Sequence, residues 1–137
     1  MMKYVRGIDY IPAIFLKYCT VDRYLQSILI DDSVPWSDLQ IRRDRNAAVE
    51  VQESAKNGVT MFSTKVEAAL SCGDLLPEGP VAFRLRMLDG SSFVVGVGER
   101  PFPVFRWRRI FPEKFSEAPV WRLTVEWNSL LPPLLIV

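Results

Sequence analysis

The stretch Val81–Val97 constrains the fold more than any other part of the chain, because it has the pattern of a β-hairpin. Apolar residues alternate with Ala or Arg over Val81–Met87, which is the two-residue period of a strand with one buried face. Asp89-Gly90 supplies the turn, since glycine tolerates the positive φ that hairpin turns require. Ser92–Val97 is rich enough in β-branched and aromatic residues to form the return strand.

A second hairpin is predicted in the middle of the chain. Ala47–Glu53 and Val59–Leu70 both alternate, and Asn57-Gly58 between them is a strong hairpin turn signal. A helix over Lys65–Ser71 competes with the second strand, because Lys-Val-Glu-Ala-Ala-Leu has good helix propensity. The preceding Thr-Met-Phe-Ser-Thr and the hairpin turn favour the strand.

The cleanest alternation in the chain is Val120–Trp127, where one face is wholly apolar and the other polar. An antiparallel sheet with one solvated face requires this pattern. The core residues expected from the two best strands are Trp121, Trp127 and Phe83.

The remaining segments give shorter elements. Pro12–Cys19 alternates and is predicted to be a strand after a mixed lead-in over Met1–Ile11. Thr20-Val21-Asp22 could cap a short helical turn over Tyr24–Ile28, and an extended Tyr24–Ile30 fits the residues equally well. Further predictions are a short strand over Trp36–Arg42, loops over Ser71–Pro80 and Pro112–Pro119, and a packed edge strand over Leu134–Val137.

Seven to nine short strands with turn signals between them predict a mainly β fold, an antiparallel β-sandwich or partly open barrel. One short helix, at either of the two ambiguous segments, would make it α+β. A chain of 137 residues is predicted to form a single domain over residues 1–137.

The absence of histidine is the composition fact that most restricts function. It excludes Ser-His-Asp and Cys-His hydrolases, His-based acid–base catalysis and most zinc sites. Cys19 and Cys72 have no paired spacing, which favours free thiols in a reducing compartment. The sequence thus predicts no enzyme activity, no cofactor, no metal site and no catalytic residue.

Charge and hydropathy predict a protein without a membrane segment that lies in the cytoplasm or in a virion-like particle. The formal net charge is +1, so no global field would attract nucleic acid or an acidic membrane. No run approaches the roughly 20 apolar residues that span a bilayer, and no signal peptide is recognisable.

Arginine and aromatic residues interleave in one segment, and this is the candidate interaction surface. Its members are Arg100, Phe102, Phe105, Arg106, Trp107, Arg108 and Arg109, with Phe111 and Lys114 close behind. Arg, Trp and Phe are enriched at the cores of protein interfaces, and the same mixture lines grooves for single-stranded nucleic acid. A solvated strand face whose arginines pair with Glu99, Glu113 and Glu117 is the alternative without a binding role.

The order of features from residue 36 to 137 resembles that of small structural proteins encoded by prophage-like elements of anaerobic gut bacteria. The matching pieces are Asn57-Gly58, Asp89-Gly90, Val94-Val95-Gly96, Arg100-Pro101-Phe102-Pro103-Val104 and Val125–Ile136. The resemblance implies a virion or tail-assembly component that works by shape and self-association, without catalytic residues.

Together these observations predict a non-enzymatic structural or protein-interaction module. Its expected partners are other protein subunits, either copies of itself in a homo-oligomer or components of a phage-like assembly. A small nucleic-acid-binding β-barrel that uses the arginine–aromatic strand is the alternative.

Overall fold

A computed structural model describes residues 2–42, 47–70, 79–110 and 120–137. Eleven strands and one 3₁₀ helix are found there, and the described residues contain no α-helix. The strands are β1 (Met2–Pro12), β2 (Thr20–Asp22), β3 (Ser27–Leu29), β4 (Ser37–Asp38), β5 (Ala47–Lys56), β6 (Val59–Leu70), β7 (Val81–Met87), β8 (Ser92–Val95), β9 (Val104–Ile110), β10 (Val120–Ser129) and β11 (Leu134–Ile136). The 3₁₀ helix is Ala13–Leu16.

All eleven strands belong to one sheet, which is not closed. The order along it is β2-β3-β11-β8-β7-β1-β5-β6-β10-β9, and β4 pairs with β1 beside this path. Neighbours are antiparallel except for the parallel pair β3–β11. The predicted mainly β class is confirmed, and one open sheet is consistent with the predicted β-sandwich or partly open barrel; the described residues form eleven strands rather than seven to nine.

Both predicted hairpins form. β7 and β8 pair from Phe83 opposite Val95 to Arg86 opposite Ser92. β5 and β6 pair from Ala48 opposite Glu67 to Lys56 opposite Val59, next to the Asn57-Gly58 turn. The φ angles of 54° and 76° at these two turn residues are both positive, as a type I′ hairpin turn requires.

The predicted strand over Pro12–Cys19 is wrong, because the strand at this end is Met2–Pro12 and the chain then enters the 3₁₀ helix. An extra residue between Val5 and Gly7 shifts the pairing of β1 with β7. This bulge interrupts the alternation, so that the true strand looks like a mixed lead-in.

The two ambiguous segments are both without a helix. The Asp22 carboxylate accepts hydrogen bonds from the N–H groups of Tyr24 and Leu25, each 3.0 Å long. These bonds close the hairpin turn between β2 and β3 and do not begin a helix. The extended alternative is confirmed over Ser27–Leu29, which is β3. Lys65–Leu70 belongs to β6, so the helix proposed for Lys65–Ser71 is wrong over those residues; Ser71 lies outside the described ones.

The short strand β11 is interior, so its predicted place at a sheet edge is wrong. Leu134 and Leu135 pair with β8, and Leu135 and Ile136 pair with β3 on the other side.

Of the predicted strand over Trp36–Arg42 only β4 and a bridge from Ile41 to Leu70 form. The loop predicted over Ser71–Pro80 lies outside the described residues except for Gly79 and Pro80, and that over Pro112–Pro119 lies wholly outside them.

The main core lies on the concave face of the curled sheet. It joins residues from β1, β5, β6, β7, β8 and β10, with Phe83 and Trp127 as its largest fully buried side chains. The Phe83 ring meets that of Phe105 edge to face, with 5.6 Å between centroids. Because five strand-to-strand steps separate β7 from β9 along the sheet, this contact shows how far the sheet curls.

A smaller core lies on the opposite face, where Leu16 of the 3₁₀ helix joins residues from β1, β3, β7, β8 and β11. Its buried members are Ile11, Leu16, Ile28, Ala82, Val94 and Leu134. Next to it lies a charged cluster around Asp9, which is only 3% exposed. Asp9 Oδ2 is 2.7 Å from Arg84 Nη2 and 3.1 Å from Arg86 Nε, and Trp36 covers the Arg84 guanidinium at 4.9 Å.

Candidate interaction surface

Strand β9, the last strand of the sheet, carries most of the predicted surface. The connection from β8 reaches it through Pro101 and Pro103, and the Trp127 indole N–H donates a 3.0 Å hydrogen bond to the Pro101 carbonyl. This bond fixes the connection against β10, because the indole N–H of the fully buried Trp127 would otherwise lack a partner. Among the described residues β9 pairs only with β10, so its other edge has no strand partner.

The concave face of β9 carries the aromatic residues. Phe105 is partly buried against the main core, and Trp107 stacks on it with 5.9 Å between ring centroids. Trp107 keeps 38% of its surface exposed. Phe105 therefore contributes to folding, whereas Trp107 offers an apolar surface at the sheet edge.

The convex face of β9 carries Arg106 and Arg108, both exposed. Arg106 Nη2 lies 3.8 Å from Glu126 Oε1 on β10, with 75% of the Arg106 side chain exposed. An ion pair this exposed contributes little to stability. The acid that Arg106 approaches is thus Glu126, whereas Glu113 and Glu117 lie outside the described residues, as do Phe111 and Lys114.

The predicted residues Arg100 and Phe102 precede β9 in the connection, with Arg100 exposed and Phe102 half-buried. Arg109 points to the concave face beside Trp107, opposite Trp121 in the register with β10. The structure therefore distributes the seven residues over two faces of β9 and the bend before it, rather than over one face.

A groove on the convex face adds residues that the sequence analysis did not select. It is about 340 Å³ in volume and is lined by Lys65, Glu67, Arg106, Trp107, Arg108, Arg122, Thr124 and Glu126. Arg122 stands directly opposite Arg108 in the β9–β10 register. The polar face of Val120–Trp127 contained the signal for Arg122, but only strand pairing shows which residue it meets.

Among the described residues, the remaining titratable and nucleophilic groups do not come together as a further cluster. Burial raises the pKa of the Cys19 thiol, and the nearby Asp31 carboxylate raises it further. A thiol held protonated in this way is a poor nucleophile. Within the described ranges no group of three or more Cys, Asp or Glu residues could hold a metal ion. No helix found there is long and apolar enough to cross a membrane.

Comparisons with family models, with curated proteins and with solved structures gave no match to this chain.

Proposed function

We propose that this protein is a non-enzymatic structural module that binds other protein subunits through strand β9. The observation that carries the proposal is the position of β9 at the end of an open sheet, with no strand on its outer edge among the described residues. Unpaired N–H and C=O groups on such an edge pair readily with a strand of another chain. Trp107 adds an exposed apolar contact at the same edge.

The charges of β9 indicate what kind of strand it accepts. Arg106 and Arg108 project from its convex face, so two β9 strands paired with each other would bring arginines together, which is unfavourable. A partner strand bearing acidic side chains avoids this repulsion. The opposite edge of the same sheet, β2, is short and contains Asp22 and no basic residue.

A second copy of this chain therefore offers one acceptable partner edge, with β9 of one copy against β2 of the next. Association of this head-to-tail kind joins two different surfaces and builds either rings or filaments. A subunit of a prophage-like virion or tail assembly, as the sequence resemblance implies, would use such contacts. The same edge could equally accept an acidic strand of another subunit.

Light scattering on a sizing column, over a hundredfold range of protein concentration, tests the proposal. Successive N–H groups of a strand point to opposite sides, so proline at Arg108 or at Arg109 removes an outward N–H in one variant and a β10-facing N–H in the other. We expect the variant that loses an outward N–H to keep the melting temperature of the parent protein and to remain at the monomer mass of 15.7 kDa. The variant that loses an N–H facing β10 should unfold at lower temperature.

The parent protein should increase in mass with concentration, or capture an acidic partner subunit. A parent protein that stays monomeric at every concentration, and recovers no partner in a pull-down, would contradict the proposal. The same holds if the proline variant that retains the parent melting temperature also retains the parent mass.

A further inference from the structure

An apolar cleft opens on the concave face, at the end of the sheet where β1 begins. It is about 240 Å³ in volume. Four adjacent strands, β5, β1, β7 and β8, and the two prolines between β10 and β11 supply its lining. The lining residues are Lys3, Val49, Val51, Leu85, Met87, Phe93, Pro132 and Pro133.

The register places the strand residues of this lining on one face of the sheet. Lys3 stands opposite Val49 in the β1–β5 pair, and Phe93 stands opposite Leu85 in the β7–β8 pair. Residues directly opposed on antiparallel strands project to the same face. The apolar strand residues of the lining belong to the main core or pack against it. The cleft is therefore a part of the main core that stays open to solvent.

Among the described residues that line the cleft, Lys3 alone is charged, and its side chain is exposed. The acid near it is Asp89 in the β7–β8 turn. Hydrogen bonds from the Ser91 hydroxyl and N–H lower the pKa of Asp89, and the charge of Lys3 lowers it further. Asp89 thus already accepts two hydrogen bonds, and the Lys3 ammonium has three N–H donors to offer. Lys3 can therefore bind an anion at the cleft.

From this arrangement we infer that the cleft binds a small carboxylic acid with a hydrocarbon chain, whose carboxylate pairs with Lys3. A cavity of about 150 Å³ accommodates benzene, so this cleft has room for a ligand of roughly eight carbons. The binding activity is independent of the proposed subunit contact, because no residue of the lining belongs to β2 or β9.

The apolar lining is the reason to choose a hydrocarbon chain over a peptide segment. Apart from Lys3, no lining side chain is polar. A peptide amide that entered the cleft would give up its hydrogen bonds to water without side-chain partners to replace them, which is unfavourable. A hydrocarbon chain has no hydrogen bonds to lose, and its burial is favourable.

Titration with octanoate, followed by the methyl resonances of the protein in two-dimensional NMR, tests the inference. We expect the resonances of Val51 and Met87 to shift and to saturate. Lys3→Met removes the charge while it keeps an unbranched apolar chain, and it should weaken octanoate binding about threefold to fivefold. The uncharged probe octanol should bind the parent protein and the Lys3→Met variant equally.

A second pair of variants tests the cleft itself. Val51→Trp should fill the cleft and abolish binding of both octanoate and octanol. Val59→Trp is the matched control, because Val59 is an exposed residue next to the β5–β6 turn and lies outside the lining. It should leave both affinities unchanged. The Lys3→Met variant still tests the inference if Val51→Trp does not fold.

Absence of saturable shifts at millimolar octanoate would overturn the inference, and so would equal affinities for octanoate and octylammonium. Tighter binding of a short peptide with a C-terminal leucine would also overturn it, since the occupant would then be a chain terminus. Measurement at concentrations where light scattering shows monomers separates this result from that of the subunit contact.

Discussion

Asp9 is the residue whose environment departs most from what its type suggests, since a carboxylate is rarely buried unless it is paired. It lies opposite Arg84 in the β1–β7 register, while Arg86 approaches from the bulge and Trp36 covers Arg84. The cluster is the polar border between the smaller core and solvent. It holds β1 to β7 through side chains in addition to the ladder of backbone hydrogen bonds.

Replacement of Asp9 by Asn should lower the free energy of unfolding by about 2 kcal/mol, because two guanidinium groups lose their buried counter-charge. The partial exposure of both arginines keeps the loss below that of a fully buried pair. Urea denaturation followed by tryptophan fluorescence measures it. Asp38→Asn is the matched control: Asp38 also faces Arg86, at 3.5 Å, but it is exposed, so a change under about 0.5 kcal/mol is expected.

Equal losses for the Asp9 and Asp38 variants would show that burial of Asp9 does not matter to the cluster. The prediction is local, since it needs only the distances and exposures of the side chains around one carboxylate.

At the scale of elements, the connection between β8 and β9 is held in close contact with the 3₁₀ helix. It passes so close to the end of the 3₁₀ helix that a Cβ on Gly98 would collide with the backbone of Leu16 and Lys17. Backbone atoms cannot move aside as a flexible side chain can. Gly98 therefore permits the contact between the connection and the 3₁₀ helix.

Gly98→Ala should accordingly cost about 1–3 kcal/mol of stability, as overpacking of a close contact does. The comparison is Glu99→Ala, one residue further on, where the side chain is exposed and the expected change is under about 0.5 kcal/mol. Thermal unfolding by circular dichroism resolves the difference. An unchanged melting temperature for the Gly98 variant would mean that the connection can shift away from the 3₁₀ helix without cost.

For the whole molecule, the two ends of the open sheet are not equivalent. One end is the seven-residue strand β9 with three arginines, and the other is the three-residue strand β2 with Asp22. This asymmetry distinguishes head-to-tail association from the pairing of two like edges.

Two charge variants test the asymmetry. Arg106→Glu makes the β9 end less basic, and Thr20→Arg makes the β2 end less acidic without removing the Asp22 carboxylate that closes the turn. Neither variant should assemble alone. A mixture should give a complex of one copy of each by light scattering, because one intact β9 and one intact β2 remain to pair.

Self-association of the Thr20→Arg variant alone, to the same mass as the parent protein, would instead indicate that β9 pairs with β9. Failure of the mixture to associate would point to another subunit as the partner of β9.

Much of the architecture was predictable from local pattern. The two hairpins were identified by their turns, Asn57-Gly58 and Asp89-Gly90, and by the alternation of Val59–Leu70. The long strand β10 was identified by the alternation of Val120–Trp127. Both signals can be read from sequence because turn conformation and the period of two are properties of a few consecutive residues. The β1 bulge concealed a strand for the same reason, since one inserted residue breaks the period.

The sequence by itself thus determined that the segments forming β5, β6, β7, β8 and β10 are extended, where their two hairpins turn, and which face of these strands is apolar. Only the tertiary structure decided that β11 inserts between β3 and β8, that β9 ends the sheet, and that Arg122 stands opposite Arg108. The physical reason is that neighbours in a sheet are chosen by burial and hydrogen bonding between segments far apart in the chain. No pattern within one segment encodes that choice.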